Sequence, residues 1–174
     1  MPARLGWARA PLRSLSPVFG RPSGGRYAVS VEGVVVSQTH ADSFRLEDTY
    51  AFLKDGGSAP LVPSGGFWQE LMSGQPKSPG VALVAGGSGW LVAKYSIDRD
   101  GQAWEMHPAG DELLTMLAGT MDVVFERADG EVTVSLRSGQ TCIVPRGMWH
   151  RQVVREAGEY LGITYGKGTQ HRPR

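Results

Sequence analysis

From Trp90 onward the chain alternates apolar and polar residues in short runs, each closed by a glycine-containing joint. An alternation with period two puts successive side chains on opposite faces of a strand. It predicts eight strands, over residues 90–97, 103–107, 112–117, 121–127, 132–137, 141–144, 149–155 and 160–165. The joints Asp100-Gly101, Ala118-Gly119, Asp129-Gly130, Ser138-Gly139, Arg146-Gly147 and Ala157-Gly158 carry turn chemistry, and Asp129-Gly130 is a strong hairpin signal. Many short, evenly spaced strands predict an all-β sandwich or barrel.

Upstream the pattern is sparser. Residues 27–37 are β-branched and strand-like, and 48–54 read as an edge strand. Phe67, Trp68, Leu71 and Met72 fall at helical spacing, so 67–72 reads as a short helix, with Ser64 as a cap and Gly74 as its stop. Phe67 and Trp68 are expected to pack into the core or over the barrel as a lid. Residues 75–89, rich in Gly, Pro and Ser, read as loop. The expected organisation is an extension over 1–26, strands, helix and loop over 27–89, a barrel over 90–166, and an exposed polar tail over 167–174.

Composition narrows the class. The 174 residues suit one domain. The net charge of +1 hides an asymmetry: residues 1–26 hold five arginines and no acid, leaving 13 basic against 17 acidic residues in the remainder. A mildly acidic body with no basic stripe argues against nucleic-acid binding. No apolar run is long enough to span a membrane. One cysteine, Cys142, excludes an internal disulfide and suits a reducing, cytoplasmic setting; mid-strand, it reads as a small buried hydrophobe. The arginine-rich start reads as a disordered extension. Its composition also resembles an organellar transit peptide, which would change the location.

The chemistry concentrates in two stretches, Glu105 to Glu112 and Pro145 to His150. Glu105 and His107 share a strand face. Glu112 opens the next strand with Leu114 and Met116 on its side, and His150 shares a face with Gln152 and Val154. Two histidines and two glutamates converging from three strands are donors suited to Fe, Mn, Ni, Zn or Cu. Glu112 buried without a partner would be costly, which favours a metal or cationic neighbour. Asp111 is expected to face outward, toward N–H groups of the turn. Trp104, Trp149 and Met106 fall on the opposite face, where they would pack under the N-terminal segment or form a homodimer interface.

Both stretches resemble the two motifs of the cupin superfamily. The first reads Glu105-x-His107, four residues, Glu112, six residues, Gly119. The second reads Gly139, five residues, Pro145-x-Gly147, two residues, His150, three residues, Val154. The likeness spans about residues 90–166 and is closest to small single-domain cupins of bacterial type. It implies a jelly-roll barrel (double-stranded β-helix) with a divalent metal in its mouth, held by His107, Glu112 and His150, with Glu105 in the first ligand slot. Two positions depart from the family pattern: Glu105 stands where histidine is usual, and Val154 where asparagine is usual. Glu105 as a ligand would add a second negative charge and favour harder ions. Otherwise it would orient a ligating imidazole, or serve as acid or base. His171, in the polar tail, is read as a surface residue.

The resemblance implies a metal-dependent enzyme, an oxygenase, isomerase, epimerase or decarboxylase acting on a small molecule; the fold does not choose among them. Gln152 would orient the substrate, with Met116, Leu114 and Val154 as an apolar floor. The alternative is a non-catalytic small-ligand binding or sensor module whose metal is structural or absent.

Overall fold

β-Branched and aromatic residues recur through the second half of the chain, and there the backbone pairs almost without interruption. The computed structural model describes residues 43–174; the expectations for 1–26 and for a strand at 27–37 lie outside those residues. The elements run β1 (Thr49–Lys54), β2 (Leu61–Pro63), α1 (Phe67–Met72), α2 (Pro79–Gly86), β3 (Gly89–Ile97), β4 (Ala103–Met106), β5 (Glu112–Arg127), β6 (Gly130–Arg137), β7 (Thr141–Val144), β8 (His150–Thr164) and β9 (Gln170–Pro173). All strand pairs are antiparallel. One path runs β2-β1-β3-β8-β4-β9, while β5 pairs with β6, β7 and β8. The architecture is an antiparallel β-sandwich, all-β as the alternation predicts and consistent with the jelly roll that the resemblance implies.

Two apolar clusters fill it. Leu114, Met116, Met121, Val123, Phe125, Leu136, Val144 and Tyr160 form the barrel interior. Tyr50, Phe52, Val62, Phe67, Val81, Leu91 and Ala93 pack the N-terminal strands against the helices. Tyr95 on β3 touches both and stacks on Tyr160 at 4.8 Å between ring centroids. β1 extends the sheet by pairing with β3, so the N-terminal segment continues the barrel wall.

Several details depart from the sequence reading. Residues 75–89 contain the helix α2, opened by Pro79 at its first position, where a missing N–H costs nothing. Ser64 does not cap α1: Gly66 holds that position, and Ser64 Oγ donates to the Glu47 carbonyl at 2.7 Å. The tail is not free, because β9 pairs along all of β4. Trp104 is only 8% exposed, with the guanidinium groups of Arg151 and Arg172 over its ring at 5.1 and 5.4 Å. An exposed Trp104 face, one basis for expecting a homodimer, is therefore absent.

The largest departure is at Ala118-Gly119 and Ala157-Gly158. Neither pair is a turn. β5 and β8 run straight through them as long partners, with a register shift where the two glycine sites face each other. Gly119 adopts φ 78°, and a Cβ on Gly158 would lie 2.0 Å from the Ala118 carbonyl oxygen. Glycine here permits a close backbone approach within a bent strand. Gly158→Ala is expected to lower stability by about 1–3 kcal/mol through forced backbone displacement, read as a fall in the urea midpoint; an unchanged midpoint would show that the approach is relaxed.

Candidate metal centre

Backbone pairing brings the acidic and imidazole side chains together. Glu105, in the middle of β4, lies opposite His150 of β8 on one side and His171 of β9 on the other. His107 follows β4 directly, and Glu112 opens β5. The two motif loops are tied to each other: the Gly147 N–H donates to the His107 carbonyl at 2.9 Å, the Arg146 N–H to Asp111 Oδ1 at 2.7 Å, and Arg146 Nε–H to the Pro108 carbonyl at 2.7 Å. The Asp111 carboxylate thus meets one backbone N–H, that of Arg146 in the second motif loop, and not those of its own turn. These three bonds fix His107 and Glu112 beside His150.

The result is a tight cluster. Glu112 Oε2 lies 3.1 Å from His150 Nε2 and 3.4 Å from His107 Nε2. Glu105 Oε1 is 4.0 Å from His107 Nε2 and 3.3 Å from His171 Nε2. Donor atoms of Glu105, His107 and His150 all lie within 4.8 Å of one another. His107, Glu112 and His150 are 2%, 5% and 1% exposed.

The outer atoms of these side chains are all held. His150 Nδ1 faces the Met148 carbonyl at 3.3 Å, and a carbonyl only accepts, so Nδ1 carries the proton. Thr169 Oγ1 gives its proton to the Gly166 carbonyl and so accepts from His107 Nδ1–H at 2.8 Å. Glu112 Oε1 accepts from Thr164 Oγ1 at 2.5 Å. With a single proton on each ring, lone pairs are left on His107 Nε2, His150 Nε2 and Glu112 Oε2, all buried and without a hydrogen-bond partner among the described residues. Two imidazole lone pairs 3.1 and 3.4 Å from that of Glu112 demand a cation among them, either a proton or a metal ion. Ligands at about 2.1 Å from one ion stand roughly 3.0 Å apart at a right angle and about 3.4 Å apart at a tetrahedral one, so the spacing suits a shared ion.

The charges respond as they would with a proton held in the cluster. Burial pushes Glu112 upward, yet His107 and His150 together outweigh it and hold the carboxyl down at about 2. Burial pulls His150 down, and the hydrogen bond and charge of Glu112 reverse this to a net rise above 6.5. Burial, with a smaller contribution from Glu112, pushes the Cys142 thiol up to about 11, so it stays protonated and unreactive near neutral pH.

Comparison with known proteins gives partial likenesses. No protein-family profile and no curated protein matches the chain. Among solved structures, a Neisseria meningitidis protein is 26% identical over 44% of this chain and 74% of its own, with a TM-score of 0.38. A cupin-2 domain protein from Shewanella frigidimarina is 20% identical over 49% of this chain and 70% of its own, with a TM-score of 0.36. Bacillus subtilis oxalate decarboxylase, a protein with Mn(II) centres, is 16% identical over 50% of this chain and 24% of its own, with a TM-score of 0.42.

A cavity of about 610 Å³ opens above the cluster, with Glu105, His107, Glu112, Gln152 and His171 at one end and Trp68, Leu71 and Met72 from α1 at the other. Gln152 faces the cavity as expected, accepting from Tyr160 OH at 3.3 Å. Leu114, Met116 and Val154 do not line it. Leu114 and Met116 share the face of Glu112 but lie deeper along β5, sealed in the barrel core. Val154 pairs with Met121 farther along β8. Trp68 does form part of a lid, its indole N–H donating to Tyr50 OH at 3.1 Å.

Sequence reasoning misses Thr169 and sets His171 aside as an unfavoured extra ligand. Both come from the tail, whose short polar run carries no apolar alternation to mark a strand. The one available signal was their i, i+2 spacing, which puts two polar side chains on one strand face.

Proposed function

We propose that this chain is a metal-dependent, cupin-type enzyme that binds a divalent ion through Glu105, His107, Glu112 and His150 and acts on a small molecule entering the cavity above them. The carrying observation is the trio of buried, unpartnered lone pairs on His107, His150 and Glu112. Fe, Mn, Ni, Zn and Cu all suit two imidazoles and two carboxylates, and the two acids balance the charge of a divalent ion. Such an ion would supply Lewis acidity toward a bound oxygen or nitrogen atom. Thr169, the Met148 carbonyl and Thr164 keep the ligand atoms aimed inward, Gln152 orients the incoming molecule, and the buried walls exclude bulk water. No helix among the described residues is long and apolar enough to cross a membrane.

The direct test is elemental analysis of purified protein, followed by turnover and O₂-uptake screens. About one equivalent of a transition metal with turnover supports the proposal. Bound metal without turnover under any condition favours a sensor or binding module, and no metal uptake removes the proposal.

The pH response separates metal-free from metal-loaded protein. In metal-free protein the His150 pKa is raised, so its pairing with Glu112 stabilises the fold fully below 6.5 and fades as pH climbs past the raised value. Metal binding needs the deprotonated ring and strengthens over the same rise. Between about pH 6 and 8, melting temperatures are expected to fall for chelator-treated protein while the added stability from metal grows. Parallel trends would contradict the shared-cation arrangement.

A further inference from the structure

The far end of the cavity is chemically unlike the metal end. Trp68, Leu71 and Met72 from α1, Val84 from α2 and Leu91 from β3 line it, and Met72 is 60% exposed at the edge. Between the ends stands an aromatic wall: Trp68 contacts Tyr95 at 5.9 Å, and Tyr95 stacks on Tyr160. Burial raises the pKa of both tyrosines, so their rings are neutral near pH 7. Among the described residues, the basic side chains facing the cavity are His107 and His171 at the metal end and Lys167, which donates to Ser88 Oγ at 3.2 Å.

We infer that the cavity selects a flat aromatic molecule bearing one anionic oxygen group, with that group at the metal end and an uncharged body against Trp68, Leu71 and Met72. This deepens the metal-dependent reading of the same site and rests on it for the head group. Two observations determine the class. The donor cluster and His171 stand together at the metal end, where the proposed ion and a basic ring would take one anionic oxygen group. Trp68, Leu71 and Met72 of α1 offer no charged partner, so a charge set against them would be unpaired. Aromatic rings also match the wall's own rings, which prefer offset or edge-on contact with another ring. Small dianions would leave the apolar end unfilled.

The test uses purified full-length protein loaded with Zn²⁺ or Mn²⁺, with metal content measured in the same samples. Binding of 2-naphthoate, acetate and oxalate is followed by Trp fluorescence and calorimetry. Naphthoate is expected to bind at least about tenfold more tightly than acetate, from the apolar area it buries. Met72→Glu and Trp68→Ala, both at partly exposed positions, should abolish that preference while metal content and acetate binding stay unchanged. Equal affinities for naphthoate and acetate, oxalate as the tightest ligand, or a naphthoate preference that survives both substitutions would each overturn the inference. Metal content reports separately on the metal reading: a protein without metal that still prefers naphthoate through Met72 retains the aromatic selectivity and loses only the proposed ion.

Discussion

Glu112→Gln is expected to abolish metal binding and, above the pH at which His150 gives up its proton, to make the metal-free protein more stable than the parent. The two effects have one cause. In the parent, once His150 has lost its proton, His107 Nε2, His150 Nε2 and Glu112 Oε2 present lone pairs to one another. An amide of nearly the same shape would keep its oxygen toward the Thr164 hydroxyl and turn its NH₂ inward. That nitrogen would stand 3.1 Å from one imidazole and 3.4 Å from the other, and it could donate to both. Two orphaned acceptors would gain donors, for a gain of about 1 kcal/mol or more. The same donors would block a cation. Metal affinity should fall at least a hundredfold, beyond the roughly 10–100-fold that loss of a supporting hydrogen bond costs. His150→Ala should also lose metal but lower stability, because it leaves a hole and keeps Glu112 buried without its partner. Equilibrium dialysis with chelator-buffered Zn²⁺ and urea unfolding of metal-free samples measure both. A Gln variant that binds metal like the parent, or one that is less stable without metal, would contradict the lone-pair arrangement.

How far the sequence foretold this site follows from which constraints act locally. Alternation along the chain marked the strands, and the spacing of Glu105, His107, Glu112 and His150 marked the cluster, because a strand fixes side-chain direction over two or three residues. Phe67–Met72 was legible as a helix for the same reason. What could not be read depended on partners distant in the chain. Ala118-Gly119 and Ala157-Gly158 look like turns because glycine suits turns. Only their apposition across β5 and β8 reveals a close approach inside long strands. Leu114 and Met116 were placed on the correct face but at the wrong depth, since alternation gives a face and not a height along the barrel. β9 has four residues, three of them polar, and owes its existence to its pairing with β4, so the two tail residues nearest the site carried no pattern of their own.

That strand leads to a second large effect. Thr169 holds His107 in the tautomer that leaves Nε2 free, by accepting from Nδ1–H at 2.8 Å while donating to the Gly166 carbonyl. Thr169→Val keeps the volume and removes the acceptor. The imidazole of His107 is then free to turn or to move its proton to Nε2, where it would point at Glu112 and compete with a metal ion. Metal affinity is expected to drop about 10–100-fold with little change in the unfolding of metal-free protein, and Thr169→Ser should restore it. A chain ending at Gly168 loses Thr169 together with His171, which sits 3.3 Å from Glu105, and with β9, which flanks β4. Its affinity should therefore fall further than that of the valine variant, and Glu105 should become more exposed. If the shortened chain holds metal as tightly as the parent, then β4, β5 and β8 suffice to aim the ligands, and the C-terminal strand has no part in the centre.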